Sequence, residues 1–302
     1  MDYEYRVLKD GTIELKNFLG ENRLGIIVPD EIDGKTVASI GQGCFYSQTN
    51  TKKIVLPNTI KHIGEHAFDY CLDIKSFFIP SSVEKIEFPT FRFCDSLYNL
   101  EVSKNNKTLD SRDNCNAIIE TKTNKLIGGC HGSCIPNGVV EIDDFALQWC
   151  EGIKELVIPD SVEIIGTYAF AFCTGLKKIT ISSKIKSIGK APFWGCDNLE
   201  TIEFKDLSHL KNIRNLALER MDALKTIMTG ENVPRRLSKQ ILFYGIYQNK
   251  DEFIEDKYLK TMTQNDMEYL VRLARNRENV LIINKLITHY NKKFGHRDNL
   301  SL

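Results

Sequence analysis

The residues with the clearest potential for chemistry are Cys130, His131 and Cys134, in the stretch CHGSC, with Cys115 nearby in the sequence. Thiolates and imidazoles are zinc ligands, and structural zinc sites use short spacings of this kind. The stretch is, however, a single cluster, and no Cys-x-x-Cys pair accompanies it. A cysteine–histidine nucleophile pair is also disfavoured, because adjacent residues of a strand point to opposite faces and no third group orients the histidine. We therefore expect no metal and no cofactor, and these three residues remain the candidates if that expectation fails.

No other catalytic signature accompanies this cluster. The sequence contains no Gly-rich phosphate loop and no HExxH, GxSxG or kinase motif. Its acidic residues are scattered, as they are on a solvated surface, so a paired-carboxylate hydrolase site has no specific support. The sequence therefore predicts a protein that is not an enzyme.

A different pattern places five cysteines at one position of a repeat. The stretches SVEIIGTYAFAFC (161–173) and KIKSIGKAPFWGC (184–196) share an aliphatic second residue, Ile-Gly, a phenylalanine and a final cysteine. Related stretches begin at residues 36, 59, 82, 138 and 209, mostly 23 residues apart. The cysteines at this position are Cys71, Cys94, Cys150, Cys173 and Cys196. No base or further ligand recurs with them, so we expect them to be small buried apolar groups.

Each repeat also contains a short strand pattern ahead of this stretch. The segments KKIVLP, KSFFIP, KELVIP and KKITIS alternate in polarity and are rich in β-branched residues, and the proline that ends three of them cannot donate a ladder hydrogen bond. A second short extended piece and one helical turn complete the unit. One unit cannot bury its own apolar side, whereas stacked units can. We expect the cysteine column to lie in that shared interior beside Phe68, Phe91, Leu147, Phe170 and Phe193.

These units resemble the BspA-type leucine-rich repeat over about residues 22–227. The resemblance implies a leucine-rich-repeat solenoid of the α/β class, with short parallel strands and one-turn helices in 23-residue repeats. It also implies a family found mainly on bacterial cell surfaces, where members act in adhesion and protein binding. The sequence departs from the pattern at Glu87 and Asp143, which replace the corner glycine, at Pro192, which replaces the alanine, and at Gln48, which replaces the cysteine.

Three further segments interrupt or flank the repeats. Residues 1–33 are expected to form an N-terminal hairpin cap, because YEYRVL and TIELKNF flank the turn signal KDG. About ten extra residues are present within 104–133, where NAIIETKTNKLIGG predicts a hairpin that protrudes from the solenoid. Residues 231–302 have helical spacing, with Thr263 and Asp266 as a helix start and Gly295 as a stop. We expect this segment to be a helical cap, and an autonomous partner-binding module is the alternative.

The composition argues against nucleic-acid binding and against membrane insertion. The chain has 302 residues, with 40 lysines and arginines against 40 aspartates and glutamates. It therefore lacks the basic surface of a nucleic-acid-binding protein, and no apolar run is long enough to insert into a membrane. The resemblance implies a cell-surface or secreted location. No signal peptide is visible, however, so the chain as given is expected in the cytoplasm if it is the native full length.

The strand positions that point away from the core are the expected contact surface for a protein partner. These positions include Val55, Phe78, Glu101, Val157, Thr180 and Glu203. The adjacent Val55 and Phe78 predict an exposed apolar patch, a frequent mark of interaction sites. The first hypothesis is thus a non-enzymatic scaffold for protein binding. A metal-binding or enzymatic module at residues 115–134 and a self-associating surface protein are the alternatives, and the sequence leaves the oligomeric state open.

Overall fold

A computed structural model describes residues 2–20, 23–214, 216–218, 222–230 and 233–295. The strands before the insertion are β1 (Tyr3–Val7), β2 (Ile13–Phe18), β3 (Gly25–Ile27), β4 (Glu31–Ile32), β5 (Lys35–Ile40), β6 (Lys53–Val55), β7 (His62–Ile63), β8 (Ser76–Ile79), β9 (Lys85–Ile86) and β10 (Asn99–Val102). The strands that follow are β11 (Leu109–Asp110), β12 (Ala117–Glu120), β13 (Lys125–Gly129), β14 (Glu141–Ile142), β15 (Glu155–Val157), β16 (Ile164–Ile165), β17 (Lys178–Ile181), β18 (Ser187–Ile188), β19 (Thr201–Phe204), β20 (Asn212–Ile213) and β21 (Thr226–Met228). The helices are α1 (Arg235–Tyr247), α2 (Asp256–Leu259), α3 (Gln264–Arg275) and α4 (Val280–Phe294).

The repeats form the expected solenoid, and a typical repeat contributes one strand to each of two parallel sheets. The first sheet contains the ladders β3–β6, β8–β10 and β15–β17–β19–β21. The second sheet continues through β5, β7 and β9, and then through β14, β16, β18 and β20. Residues 23 apart lie side by side, as Ile179 does with Leu156. Ile179 of the first sheet and Ile188 of the second belong to one buried core, so the two sheets enclose the solenoid interior.

The third side of the solenoid is formed by the segment that ends in the cysteine. It is a series of tight turns where one-turn helices were expected, and Tyr168 and Phe172 within it have φ of 53° and 59°. These left-handed residues direct backbone N–H groups towards the following rung. The donors Tyr168, Phe170 and Phe172 bond the carbonyl oxygens of Lys190, Pro192 and Trp194 at 3.0, 2.9 and 2.6 Å. Bonds between rungs thus alternate with bonds inside the segment, such as the one from Ala171 N–H to the carbonyl oxygen of Tyr168 at 3.0 Å.

The repeated cysteines lie in the interior, as the sequence predicts. All five are buried, and four thiols donate to a carbonyl oxygen 26 residues earlier. Cys173 bonds the carbonyl oxygen of Leu147 at 3.0 Å, for example. Four of the five large residues predicted beside the cysteines are also buried: Phe68, Leu147, Phe170 and Phe193. Phe91 is only half-buried, and it stacks on Phe68 at a ring-centroid distance of 5.4 Å.

The insertion forms a hairpin, but it does not protrude. Strands β12 and β13 pair in antiparallel fashion, as predicted. Strand β13 then pairs in parallel with β14, so the hairpin is part of the second sheet. Ile118 packs into the core of the preceding rungs, and Ile119 packs into the core of the following ones. Protrusion was the wrong expectation because both faces of this apolar strand are buried.

The two ends of the solenoid are covered by different structures. At the N-terminus, β1 and β2 form an antiparallel hairpin, and β2 pairs in parallel with β5. At the C-terminus, the helices share the core of the last rungs, and the Tyr244 hydroxyl donates to the carbonyl oxygen of Leu224 at 2.8 Å. Helix α3 begins with the predicted Thr263–Asp266 capping box, and the predicted stop Gly295 is the C-cap residue of α4. In the part of the chain that is described, no helix combines the length and apolarity required to cross a membrane.

Candidate interaction surface

The outward positions of β3, β6, β8 and β10 form a partly apolar surface, which we call the N-terminal strand face. It consists of Ile27, Lys53, Val55, Ser76, Phe78, Asn99 and Glu101. Alternation along each strand sends Ile54 and Phe77 into the core and leaves Val55 and Phe78 38% and 49% exposed. Ile27 pairs with Val55, and Phe78 pairs with Glu101, so equivalent side chains lie on neighbouring rungs.

A shallow depression lies in the middle of this face. Its volume is about 300 Å³, and its lining includes Lys53, Val55, Ser76, Phe78 and Glu101. Strand β6 pairs with β3, and β8 pairs with β10, whereas the described residues show no ladder between β6 and β8. The depression therefore lies at a discontinuity of the first sheet, and apolar and charged side chains border it together.

Two charges flank the apolar pair. Lys53 lies beside Val55 on β6, and Glu101 lies beside Phe78 on the next strand pair. Within residues 23–214, neither charge has an ion-pair partner, although many other lysines and glutamates of the solenoid are paired. Both charges are therefore available to groups on a bound partner.

The C-terminal half of the first sheet is different. Val157 is 59% exposed, as expected for an outward position, but Thr180 is only 9% exposed. The Thr180 hydroxyl donates to the Glu203 carboxylate at 3.3 Å, and the Lys178 ammonium lies 3.1 Å from the same oxygen. Glu203 therefore covers Thr180 and is engaged in an ion pair. The six predicted contact residues thus belong to two surfaces, of which only the N-terminal one combines adjacent apolar side chains with unpaired charges.

The three metal-site candidates lie in different surroundings. The Cys130 thiol is buried and donates to the carbonyl oxygen of Asn116 at 3.4 Å. Nδ1 of His131 accepts the backbone N–H of Gly152 at 3.0 Å, and burial lowers the pKa of this histidine. The Cys134 side chain is exposed on the outer surface. Among the described residues, no group of three or more His, Cys, Asp or Glu side chains converges in a way that could hold a metal ion.

Comparison with known families agrees with this geometry. A sequence model of the family described as BspA type leucine rich repeat region matches residues 16–125 and 133–246, in six copies. The chain belongs to this family. The 23-residue repeat, the buried cysteine column and the two-sheet solenoid are thus properties of a BspA-type protein. No curated protein sequence matches the chain.

Several solved bacterial structures are similar to this chain. The pneumococcal vaccine antigen PcpA is 16% identical, with a TM-score of 0.50 over 76% of this chain and 80% of that one. A leucine-rich-repeat protein from Eubacterium ventriosum is 18% identical, with a TM-score of 0.43 over 76% and 83% of the two chains. A leucine rich cell surface protein from Faecalibacterium prausnitzii is 18% identical, with a TM-score of 0.38 over 76% and 93%. At 16% identity, the likeness to PcpA shows the fold alone.

The sequence reading missed a ladder of aromatic rings on the third side of this BspA-type solenoid. The consecutive ring-centroid distances through Tyr46, Tyr70, Phe93, Trp149 and Phe172 are 5.3, 4.4, 4.3 and 4.1 Å. The sequence does contain a pattern that indicates this ladder, because an aromatic residue directly precedes the repeated cysteine in four repeats. Because successive rings cover one another, the ladder joins rungs and leaves mainly ring edges for a ligand.

A line of polar groups on the second sheet was also missed. The Ser39 hydroxyl lies 3.1 Å from Nδ1 of His62, and Nε2 of His62 lies 3.3 Å from the Glu87 carboxylate. The order resembles a catalytic triad, but Ser39 is buried and Lys85 lies 2.6 Å from the same Glu87 oxygen. The hydrogen bond from Lys85 is the main cause that lowers the pKa of Glu87. We interpret the line as polar packing between rungs.

Proposed function

We propose that this BspA-type chain is a non-enzymatic scaffold that binds a protein partner through its N-terminal strand face. BspA-type repeats form protein-interaction scaffolds. The observation that supports this particular face is that Val55 and Phe78 stay exposed on neighbouring rungs and line one depression together with Lys53 and Glu101. Burial of apolar surface contributes about 25 cal/mol per Å², so such a pair is suited to the centre of an interface.

The scaffold is suited to binding because its contact side chains are held in place before a partner arrives. Apart from the discontinuity between β6 and β8, the rungs are hydrogen-bonded to one another in two sheets and one series of turns. Little backbone order then has to be gained on association, which lowers the entropic cost of binding. We assign residues 1–33 and 231–302 the role of caps that cover the ends of the solenoid core, and the hairpin at about 104–133 the role of a spacer within it.

The finer proposal is that binding takes place at a bacterial surface, in adhesion or in capture of a host protein. Membership of the BspA-type family supports this location, because the family is found mainly on bacterial surfaces. The metal-binding or enzymatic alternative at residues 115–134 has no comparable support, because the Cys130 thiol and His131 Nδ1 bond separate backbone groups and Cys134 is exposed.

The test replaces the apolar pair and follows partner capture. Phe78→Asp and Val55→Lys are expected to retain the fold, measured by circular dichroism and thermal melting, and to abolish capture in a pull-down. Ile164→Lys is the matched control, since Ile164 is an exposed apolar residue on the second sheet. A photo-crosslinking amino acid at position 78 then identifies the protein in contact. Equal capture by wild type and Phe78→Asp, or no crosslink from position 78, would overturn the proposal.

A further inference from the structure

The outer edge of strand β3 has backbone groups for which the described residues provide no partner. Among those residues β3 pairs only with β6, so its other edge is the N-terminal end of the first sheet. On the β6 side, the carbonyl oxygen of Leu24 accepts a bond of 2.9 Å and the N–H of Val28 donates one of 3.0 Å. Backbone groups of successive residues point to opposite sides of a strand, so those of Gly25 and Ile27 point away from β6. The edge therefore offers two donors and two acceptors.

The N-terminal cap explains why this edge is open. A typical rung contributes one strand to each sheet, and β2 occupies the second sheet beside β5. The chain then follows the turn side, where the Phe18 N–H donates to the carbonyl oxygen of Cys44 at 2.8 Å, and enters the next rung at β3. Strand β1, which precedes β2, pairs with it in the second sheet. In the described part of the chain, the rung of β2 thus has no strand for the first sheet, and the position beside β3 is vacant.

The side chains around this edge are exposed and apolar. Ile27 is 79% exposed and Leu24 is 67% exposed. A Cβ atom at Gly25 would have only one atom of the described residues within 4.0 Å, the carbonyl oxygen of Lys53 on the β6 side. Another backbone can therefore approach the edge of β3 without meeting a side chain at this position.

Two other edges of the sheets are protected, whereas β3 is not. At the C-terminal end of the first sheet, the carbonyl oxygen of Ile227 in β21 accepts the hydroxyl of Tyr258 from the helical cap at 3.4 Å. At the edge of the second sheet, β1 carries the charged Glu4 and Arg6 and a bulge between Glu4 and Tyr5. Charges and bulges on an edge strand disfavour pairing with a further strand. Strand β3 has the sequence GII, without a charge, and its ladder has no bulge.

We infer that β3 binds an extended segment of another protein, which adds to the first sheet as its outermost strand. Only a backbone in β conformation presents donors and acceptors that match those of Gly25 and Ile27, whereas a helix bonds its own backbone groups internally. A second copy of this chain is disfavoured, because an edge of three residues is far smaller than the roughly 800 Å² that each partner buries in a stable dimer. The step goes beyond the proposed function, since it concerns the backbone edge of β3 and not the side chains of Val55 and Phe78.

The inference is tested with a fluorescent peptide of the sequence IKELVIP, which is residues 153–159 of this chain and contains a strand of the first sheet. Its affinity for wild type, Ile27→Pro and Ile27→Thr is measured by fluorescence anisotropy, and thermal melting checks that the variants fold. Proline removes the outward N–H of residue 27 and leaves the bonds to β6 in place, whereas threonine keeps that N–H. Ile27→Pro is expected to bind at least about tenfold more weakly than wild type, because proline cannot donate to an added strand. Ile27→Thr, the matched control, should stay within about threefold of wild type, because threonine also suits a strand.

Two N-methylated forms of the peptide separate strand addition from apolar contact alone. One is methylated on the backbone nitrogens of its Glu and Val residues, and the other on those of its Lys and Leu residues. Only one of these sets faces β3 in an added strand, so one form should lose binding and the other should keep it. No binding to wild type, equal affinity for Ile27→Pro, or equal affinity of the two methylated forms would overturn the inference. A wild-type dimer in analytical ultracentrifugation that is absent from Ile27→Pro would assign the edge to a second copy and would overturn it as well.

Discussion

The thiol of Cys196 donates a hydrogen bond of 3.0 Å to the backbone carbonyl oxygen of Phe170, which lies 26 residues earlier in the chain. Cys94 makes the equivalent bond to Phe68 at 3.1 Å. The repeated cysteine is therefore a small apolar side chain that also satisfies a carbonyl of the rung before it. This relationship accounts for a regular thiol spacing without any catalytic partner.

We predict that only one thiol of the folded chain reacts rapidly. Eight of the nine cysteines are buried and Cys134 is exposed. Burial raises the pKa of Cys71 to about 12, so its reactive thiolate is scarce at neutral pH. Titration with a chromogenic disulfide reagent should show one fast thiol in native protein and nine after unfolding. Cys134→Ser should remove the fast phase, and a fast phase that survives this change would contradict the burial of the column.

Truncation of a core aromatic should destabilise the solenoid strongly. Phe170 is fully buried and stacks on Phe193 at a ring-centroid distance of 5.7 Å. Phe170→Ala is expected to lower the free energy of unfolding by about 3–5 kcal/mol, the usual effect of removing a buried phenylalanine ring. Urea unfolding checks the value, with Ile164→Ala as the exposed control. A decrease no larger than that of the control would exclude the stacked-rung interior.

Asn106 should contribute to stability through its side-chain amide. Its Nδ2 donates to the carbonyl oxygens of Pro80 and Val83 at 3.0 and 2.8 Å, and its Oδ1 accepts the backbone N–H of Thr108 at 2.9 Å. Asn106→Ala should lower the free energy of unfolding by about 2–4 kcal/mol, since each lost bond contributes about 1 kcal/mol. The exposed Asn105→Ala is the control. Equal stability of the two variants in urea would refute this role.

The same bonds bear on the tripeptide Asn106-Lys107-Thr108, which has the pattern of an N-glycosylation site. A glycan would be attached to the Nδ2 atom that donates to Pro80 and Val83. In the folded chain this atom is therefore engaged in bonds to the preceding rung.

His131 should make the stability of the chain depend on pH. Burial lowers its pKa below the ordinary value of 6.5, against the opposing charges of Glu151 and Asp95. The unfolded chain therefore takes up the proton first as the pH falls below about 6.5, and stability decreases over that range. Urea unfolding at pH 7.5, 6.5 and 5.5 should show a steeper loss for wild type than for His131→Asn, whose side chain does not titrate. Parallel curves for the two proteins would rule out this contribution.

Much of the fold could be predicted because the sequence repeats its core. The fixed spacing of Phe170, Cys173 and their equivalents predicted the stacked interior, and Thr263 with Asp266 predicted the start of a helix. The family match and the buried columns confirm the solenoid. The turn side was harder, because left-handed residues such as Tyr168 and Phe172 have ordinary side chains, and their φ is stabilised by bonds to the next rung.

The contact surface was predicted only in part, because the pattern of one strand does not show the contacts between rungs. Alternation correctly placed Val55 and Phe78 on the outside. It could not show that Thr180 is covered, because this depends on Glu203 of the next rung and its ion pair with Lys178. The role of Val55, Phe78 and Glu101 in binding stays a prediction for the experiments above.

The strand Ala117–Glu120 affects how the number of repeats can change during evolution. Ile118 belongs to the core on one side and Ile119 to the core on the other, so the two stacks of repeats meet at a shared wall. Duplication or deletion of a 23-residue unit on one side of that wall leaves the core contacts on the other side intact. Recombination between repeats can therefore lengthen or shorten one half of the molecule while the opposite half keeps its surface.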